Sequence, residues 1–109
     1  MKVLIHDLGT ANTIEFEKIF DVYASNEMEA MQLLTSDVMR LLVDFYNKTK
    51  SYYEICIKNS HIYIRFELMY LVNQTSLDKE QLYKYYSVLD FIIEITNTLA
   101  TIINKSNYI

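Results

Sequence analysis

Proline is absent from the 109 residues, and glycine occurs once, at Gly9. Phosphate-cradling loops of the P-loop or dinucleotide type need several glycines, so both are excluded. Collagen-like, mucin-like and proline-linker readings fail for the same reason. One cysteine, Cys56, leaves no internal disulfide and no multi-cysteine metal site. A reducing compartment fits that usage. Basic residues are too few for a general nucleic-acid binder, because the net charge is −4 and the pI about 5.0. The same balance disfavours electrostatic docking on anionic membranes. The N-terminus carries only three consecutive apolar residues, Val3-Leu4-Ile5, before a charge, which is no signal peptide. No window approaches 18 apolar residues, so no span across a bilayer is expected in this chain.

What is present is an ordinary globular composition, 51% hydrophobic and 22% charged. The length suits one domain, 1–109, which buries roughly 65% of its unfolded surface. Ile, Asn, Lys and Tyr are abundant, and their AT-rich codons point to a low-GC bacterial genome. The ten tyrosines are the most unusual feature.

Residues 1–14 are the least patterned and are expected to be less ordered, although Lys2–His6 can form a short strand. Asp7 to Thr13 read as a loop. From Phe16 to Ala24, Phe20, Val22 and Ala24 alternate with Asp21 and Tyr23, as in a half-buried strand. Asn26 is a good N-cap with Glu29 at capping-box spacing, so a short helix is expected through Leu34. Thr35-Ser36-Asp37 opens a second helix. Its apolar face is Val38, Leu41, Leu42 and Phe45, and it runs to about Lys48.

Tyr52–Lys58 and His61–Leu71 read as a hairpin around Asn59-Ser60. In that register Ile57 faces Ile62, Ile55 faces Ile64, and Tyr53 faces Phe66, all on one side. On the other side Cys56 meets Tyr63, and Glu54 meets Arg65. A slip of one residue destroys both patterns. Thr75-Ser76 can cap a long last helix. Its apolar positions are taken as Leu82, Tyr85, Tyr86, Leu89, Ile92, Ile93, Thr96, Leu99 and Ile103. Residues 104–109 are expected to fray. The expected fold is a two-layer α+β domain: a small antiparallel sheet including the hairpin, amphipathic helices on one face, and a long C-terminal helix.

The stretch from Phe16-Glu17-Lys18-Ile19-Phe20-Asp21-Val22-Tyr23 through Leu33-Leu34-Thr35 resembles the C-terminal part of the bacterial domain-of-unknown-function family 3137. That family's pattern is Phe-x-x-x-Phe-x-Val-Tyr, an acidic Ala-containing stretch, Leu-Thr-Pro, then an amphipathic helix. A short strand pair and an Ile-rich helix follow in the same order. The resemblance covers roughly residues 2–103 and is specific over residues 16–42. Ser36 stands where the family has proline, which there only pre-shapes a first helical turn. Members carry an N-terminal part with membrane-spanning helices, so the resemblance implies a C-terminal module of a membrane-associated bacterial protein. It implies a cytoplasmic location, at the membrane through that missing part. It implies no activity, since the family has none assigned.

Chemistry-bearing residues are sparse. His61 falls on the polar face at the hairpin turn, and as a ligand or base it lacks a Cys, Asp or second His at useful spacing. His6 is no better placed. Cys56 faces Tyr63 and has a carboxylate, Glu54, two residues away, so it lacks the basic partner that would activate it as a nucleophile. Glu15, Glu17, Glu27, Glu29, Asp90 and Glu94 come in pairs, which exposed charge on packed elements explains more simply than a metal. Met28, Met31, Leu33 and Leu34 read as core. No catalytic, cofactor or metal residue is assigned, and the chain is not expected to be an enzyme.

Tyr52, Tyr63 and Tyr70 fall on the hairpin's second face, and Tyr83, Tyr85 and Tyr86 widen the last helix's stripe. Tyrosine suits interfaces, because it buries area and keeps a polar tip. Composition bias with partial burial explains the same residues equally well. The expectation is an interaction or structural domain. Its candidate surface is Tyr52, Tyr63, Tyr70, Tyr83 and Tyr86, and its partner is a protein or a second copy in a homodimer. The alternative is a small-molecule or lipid-binding domain. Its apolar pocket would lie between long helix and sheet, lined by Phe66, Tyr85, Tyr86 and methionines.

Overall fold

The computed structural model describes residues 1–5, 16–67 and 79–105. The order is β1 (Lys2–Ile5), α1 (Phe16–Ile19), β2 (Phe20–Tyr23), α2 (Glu27–Leu33), α3 (Ser36–Thr49), β3 (Tyr53–Lys58), β4 (His61–Phe66) and α4 (Lys79–Lys105). The sheet is antiparallel, with strand order β2-β1-β3-β4. The least patterned stretch of sequence thus supplies an inner strand. Helices cover one face, and the fold is α+β.

The hairpin has the expected register, from Tyr53 opposite Phe66 to Lys58 opposite His61. Asn59 and Ser60 both have positive φ, 53° and 64°. That pair of left-handed residues makes the type I′ geometry whose twist matches the strands. The Glu67 amide extends the ladder by donating to the Tyr52 carbonyl. The remainder of the expected second strand, and the Thr75-Ser76 cap, lie outside the described residues.

Residues 16–19 form a helical turn, not the start of a strand. Phe16, Ile19 and Phe20 have i, i+3, i+4 spacing, and Phe16 stacks on Phe20 at 4.8 Å. The turn delivers all three toward the core before the chain extends at Phe20. The expected alternation then fails at Val22 and Ala24, which are exposed. Val22 pairs with Val3, but among the described residues β2 is an edge strand with no neighbour beyond it.

Both caps are as expected. Asn26 Oδ1 accepts from the Met28 and Glu29 amides, and Thr35 Oγ1 from the Val38 amide. Helix α3 ends on Lys50 in the left-handed conformation, φ 54°. In α2 only Leu33 is fully buried, and Met28 and Met31 are exposed. A seven-residue helix has two turns, and one of its sides meets the core.

The core is an aromatic knot set in aliphatics. Phe45 of α3 stacks on Phe91 of α4, and Tyr53 meets both edge-on at 5.1 and 5.4 Å. Phe66 closes the group against Phe45 and Phe91. Val3, Ile5, Ile55 and Ile57 form the sheet's floor, with Leu33, Val38, Leu42, Ile95 and Leu99 above. The buried Tyr53 hydroxyl donates to the Leu42 carbonyl.

Helix α4 differs from its expected orientation. The buried stripe is Val88, Phe91, Ile95 and Leu99, with Ile92, Ile102 and Ile103 partly buried beside it. Leu82, Tyr86, Leu89 and Ile93, read from spacing as core, are exposed. The helix carries two apolar stripes, and periodicity alone cannot say which one meets the sheet. Asn104 and Lys105 are still helical, and the rest of the expected fraying tail lies outside the described residues.

Candidate functional site

Among the described residues, two surfaces carry the exposed tyrosines. The first is the sheet face turned away from the helices. Register places Tyr23, Lys2, Cys56 and Tyr63 in one row across all four strands, and Asp21, Leu4, Glu54 and Arg65 in the next. Tyr63 is 56% exposed. Its ring lies 6.1 Å from that of His61. The exposed His61 Nδ1 is 2.8 Å from the Asn59 carbonyl, a contact that fixes the ring at the turn.

Tyr52 is tied into a local network on this face. Its hydroxyl donates to Glu54 Oε2 at 2.7 Å, and Arg65 Nε donates to Glu54 Oε1 at 2.9 Å. The guanidinium also sits 5.4 Å from the Tyr52 ring centroid. The hydrogen bonds from Arg65 and Tyr52 lower the Glu54 pKa to about 2. Burial, with the Glu54 carboxylate next, raises that of Tyr52. The Glu54–Arg65 pairing was legible in the hairpin register, but the third member was not. Tyr52 stands one residue before β3, on the same face as Glu54 two positions on, and its hydroxyl reaches that carboxylate along the strand, a contact the cross-strand register does not display.

The second surface is the outer side of α4. At ~100° per residue the stripe Leu82, Tyr86, Leu89, Ile93 lies roughly 145° around the helix from Val88, Phe91, Ile95 and Leu99. Tyr83 and Tyr86 are each 62% exposed, Ile93 58% and Leu89 52%. Asp90 and Glu94 are exposed along one edge of this stripe. Contrary to the expectation from the sequence, helix Leu82–Lys105 is long and apolar enough to reach across a bilayer: its most apolar 18 residues have a mean hydropathy of 1.3, and 28% of them are buried within the domain. A core helix with a second apolar face passes the same test.

The proposed surface residues therefore do not form one patch. Tyr63 and Tyr52 lie on the sheet's outer face, Tyr83 and Tyr86 on α4, and Tyr70 outside the described residues, as do His6 and Glu15. Leu82, Leu89 and Ile93 were missed as surface residues. The available signal was the 4-3-4 spacing they make together with Tyr86, which lies on a separate side of the helix.

Between α4 and the sheet, the aromatic knot leaves a cavity of about 10 Å³ beside Phe45, Tyr52, Tyr53, Phe66 and Val88. That is room for about one water. Tyr86 faces solvent, and none of the described methionines lines the cavity. Cys56 is half-buried beside Lys2 and Tyr63. Among the described residues no three His, Cys, Asp or Glu side chains converge as a metal-binding group.

These features define a two-layer α+β domain, with an open sheet face and a long helix that is apolar on two sides. The chain belongs to the family described as Protein of unknown function (DUF3137), whose model matches residues 2–101. No curated protein and no solved structure matches the chain.

Proposed function

We propose that this chain is a non-enzymatic protein-interaction domain. The observation that carries the reading is the exposed stripe Leu82, Tyr86, Leu89 and Ile93 on α4, opposite the stripe that forms the core. Contiguous apolar area of this kind marks contact sites on otherwise ordinary surfaces. The adjoining Tyr83 adds the residue type most favoured at such contacts. The aromatic knot fills the space where an apolar ligand would bind, which favours a surface over a pocket. The domain acts in the cytoplasm, beside a membrane that the membrane-spanning part carried by members of the resembled family would supply.

The test is capture by the immobilised 109-residue chain from bacterial lysate with solubilised membranes, read by mass spectrometry. The expected result is a reproducible protein, further copies of the chain included, that Ile93→Glu no longer retains. A small molecule or lipid that co-purifies with both forms, with no protein retained, would overturn the reading.

A further inference from the structure

We propose that the occupant of the outer α4 face is a second copy of this chain, bound through an antiparallel pairing of the two α4 helices. The proposal rests on the interaction reading above and names its partner.

The spacing carries it. Leu82, Tyr86, Leu89 and Ile93 are separated by four, three and four residues. That is the seam spacing of two helices packed side by side. It is also palindromic. Running one helix against its copy sets Leu82 against Ile93 of the second copy and Tyr86 against Leu89 of the second copy, and the two-fold axis repeats both contacts. A self-complementary patch of this kind is what an isologous dimer requires.

The ends and the edge agree with the same axis. The next layer pairs Thr96 with Lys79 of the second copy, polar on both sides, so the apolar seam stops where the pairing needs it to. Along the edge, Tyr83 falls beside Asp90 of the second copy, a hydroxyl donor beside a carboxylate acceptor. Antiparallel helices also set their dipoles in opposition, which favours this direction over the parallel one.

Area and charge separate a second copy from a bilayer. The four seam residues and Tyr83 expose on the order of 600 Å² per copy, the least a specific interface buries and below the range of obligate homodimers, which fits a weak, concentration-dependent dimer. Asp90 and Glu94 sit at mid-helix on the edge of this face, exposed. A protein seam leaves them at its wet rim, whereas hydrocarbon would have to desolvate them. The helix's other side is also committed to the domain core through Val88, Phe91, Ile95 and Leu99.

The experiment is sedimentation velocity on the 109-residue chain at roughly 10–100 µM, where weak dimers populate by mass action. The expected mass is twice the 13.0 kDa chain. Ile93→Glu should weaken the dimer by more than about tenfold, because the acid loses water without gaining a partner. Its helical circular dichroism should stay unchanged, because position 93 faces solvent in the monomer. Leu82→Lys combined with Ile93→Glu in one chain should restore a salt-sensitive dimer, since each lysine then faces a glutamate across the axis. A monomeric wild type, a dimer indifferent to Ile93→Glu, or a double variant that stays monomeric would each overturn the pairing. The wild type is also floated with phosphatidylcholine vesicles, and flotation of a monomer would overturn the pairing and assign the face to lipid. If the wild type is monomeric but captures another protein through Ile93, the pairing fails and the interaction reading survives. If it captures no protein either, both fail.

Discussion

The Phe45 ring lies flat on the Phe91 ring, with centroids 4.0 Å apart and planes within 6°. This contact joins α3 to α4 directly over Tyr53, and it decides which side of α4 is core. Truncating Phe91 removes the stack, the edge contact to Tyr53 and the contact to Phe66 together. Phe91→Ala should destabilise the domain by about 3–5 kcal/mol. Urea unfolding followed by circular dichroism checks this. A loss below ~1 kcal/mol would mean that α4 docks by other contacts.

The hairpin turn holds two residues with side chains at positive φ, Asn59 and Ser60. Asparagine tolerates that region and serine does so poorly. Ser60→Gly should therefore stabilise by about 0.5–1 kcal/mol. An increase in the urea midpoint with unchanged slope is the expected reading, and a decrease would show that the serine makes a contact glycine cannot replace.

Legibility followed local physics. The hairpin register could be read because six apolar residues and one ion pair had to agree with a single turn. The caps at Asn26 and Thr35 could be read because each is closed within four consecutive residues. The segment Phe16-Ile19-Phe20 was misread because a helical turn and a strand share it, and tertiary burial settles their boundary. Helix α4 was misread because Leu82, Leu89 and Ile93 satisfy the same period as Val88, Ile95 and Leu99. Nothing local distinguishes them. The choice is made by Phe91, which fits between Phe45 and Tyr53. The candidate surface was half legible for that reason: the tyrosines could be named, but the aliphatic seam was hidden inside an expected core.

Acid should test the Glu54 network. Its carboxyl is held at about 2, against an ordinary 4.5. A lowered carboxyl pKa contributes stability above the ordinary value, and that contribution disappears as pH falls from about 4.5 toward 2. Glu54→Gln should lower stability at neutral pH and remove part of the slope across that window. The check is the urea midpoint measured at intervals from neutral pH to acid, for both forms. Parallel curves would show that other carboxylates carry the acid transition. Arg65 is largely exposed, so the effect is small and should shrink further in high salt.

Base should test Tyr53. Burial pushes its phenol well above the ordinary 10.0. The native state holds the neutral form, and the unfolded chain ionises from about pH 10, so stability falls as pH rises past that point. Ultraviolet titration of the folded protein should show a phenol that ionises only as the protein unfolds. Tyr53→Phe removes that step. It also leaves the Leu42 carbonyl without its hydroxyl donor, at about 1–2 kcal/mol. The exposed Tyr63 provides the internal contrast. Tyr63→Ala should change stability by less than ~0.5 kcal/mol, because the ring stands on the open sheet face. If Tyr63→Ala instead cost as much as Tyr53→Phe, the open face would be part of the folding core, and its tyrosines would not be free to meet a partner.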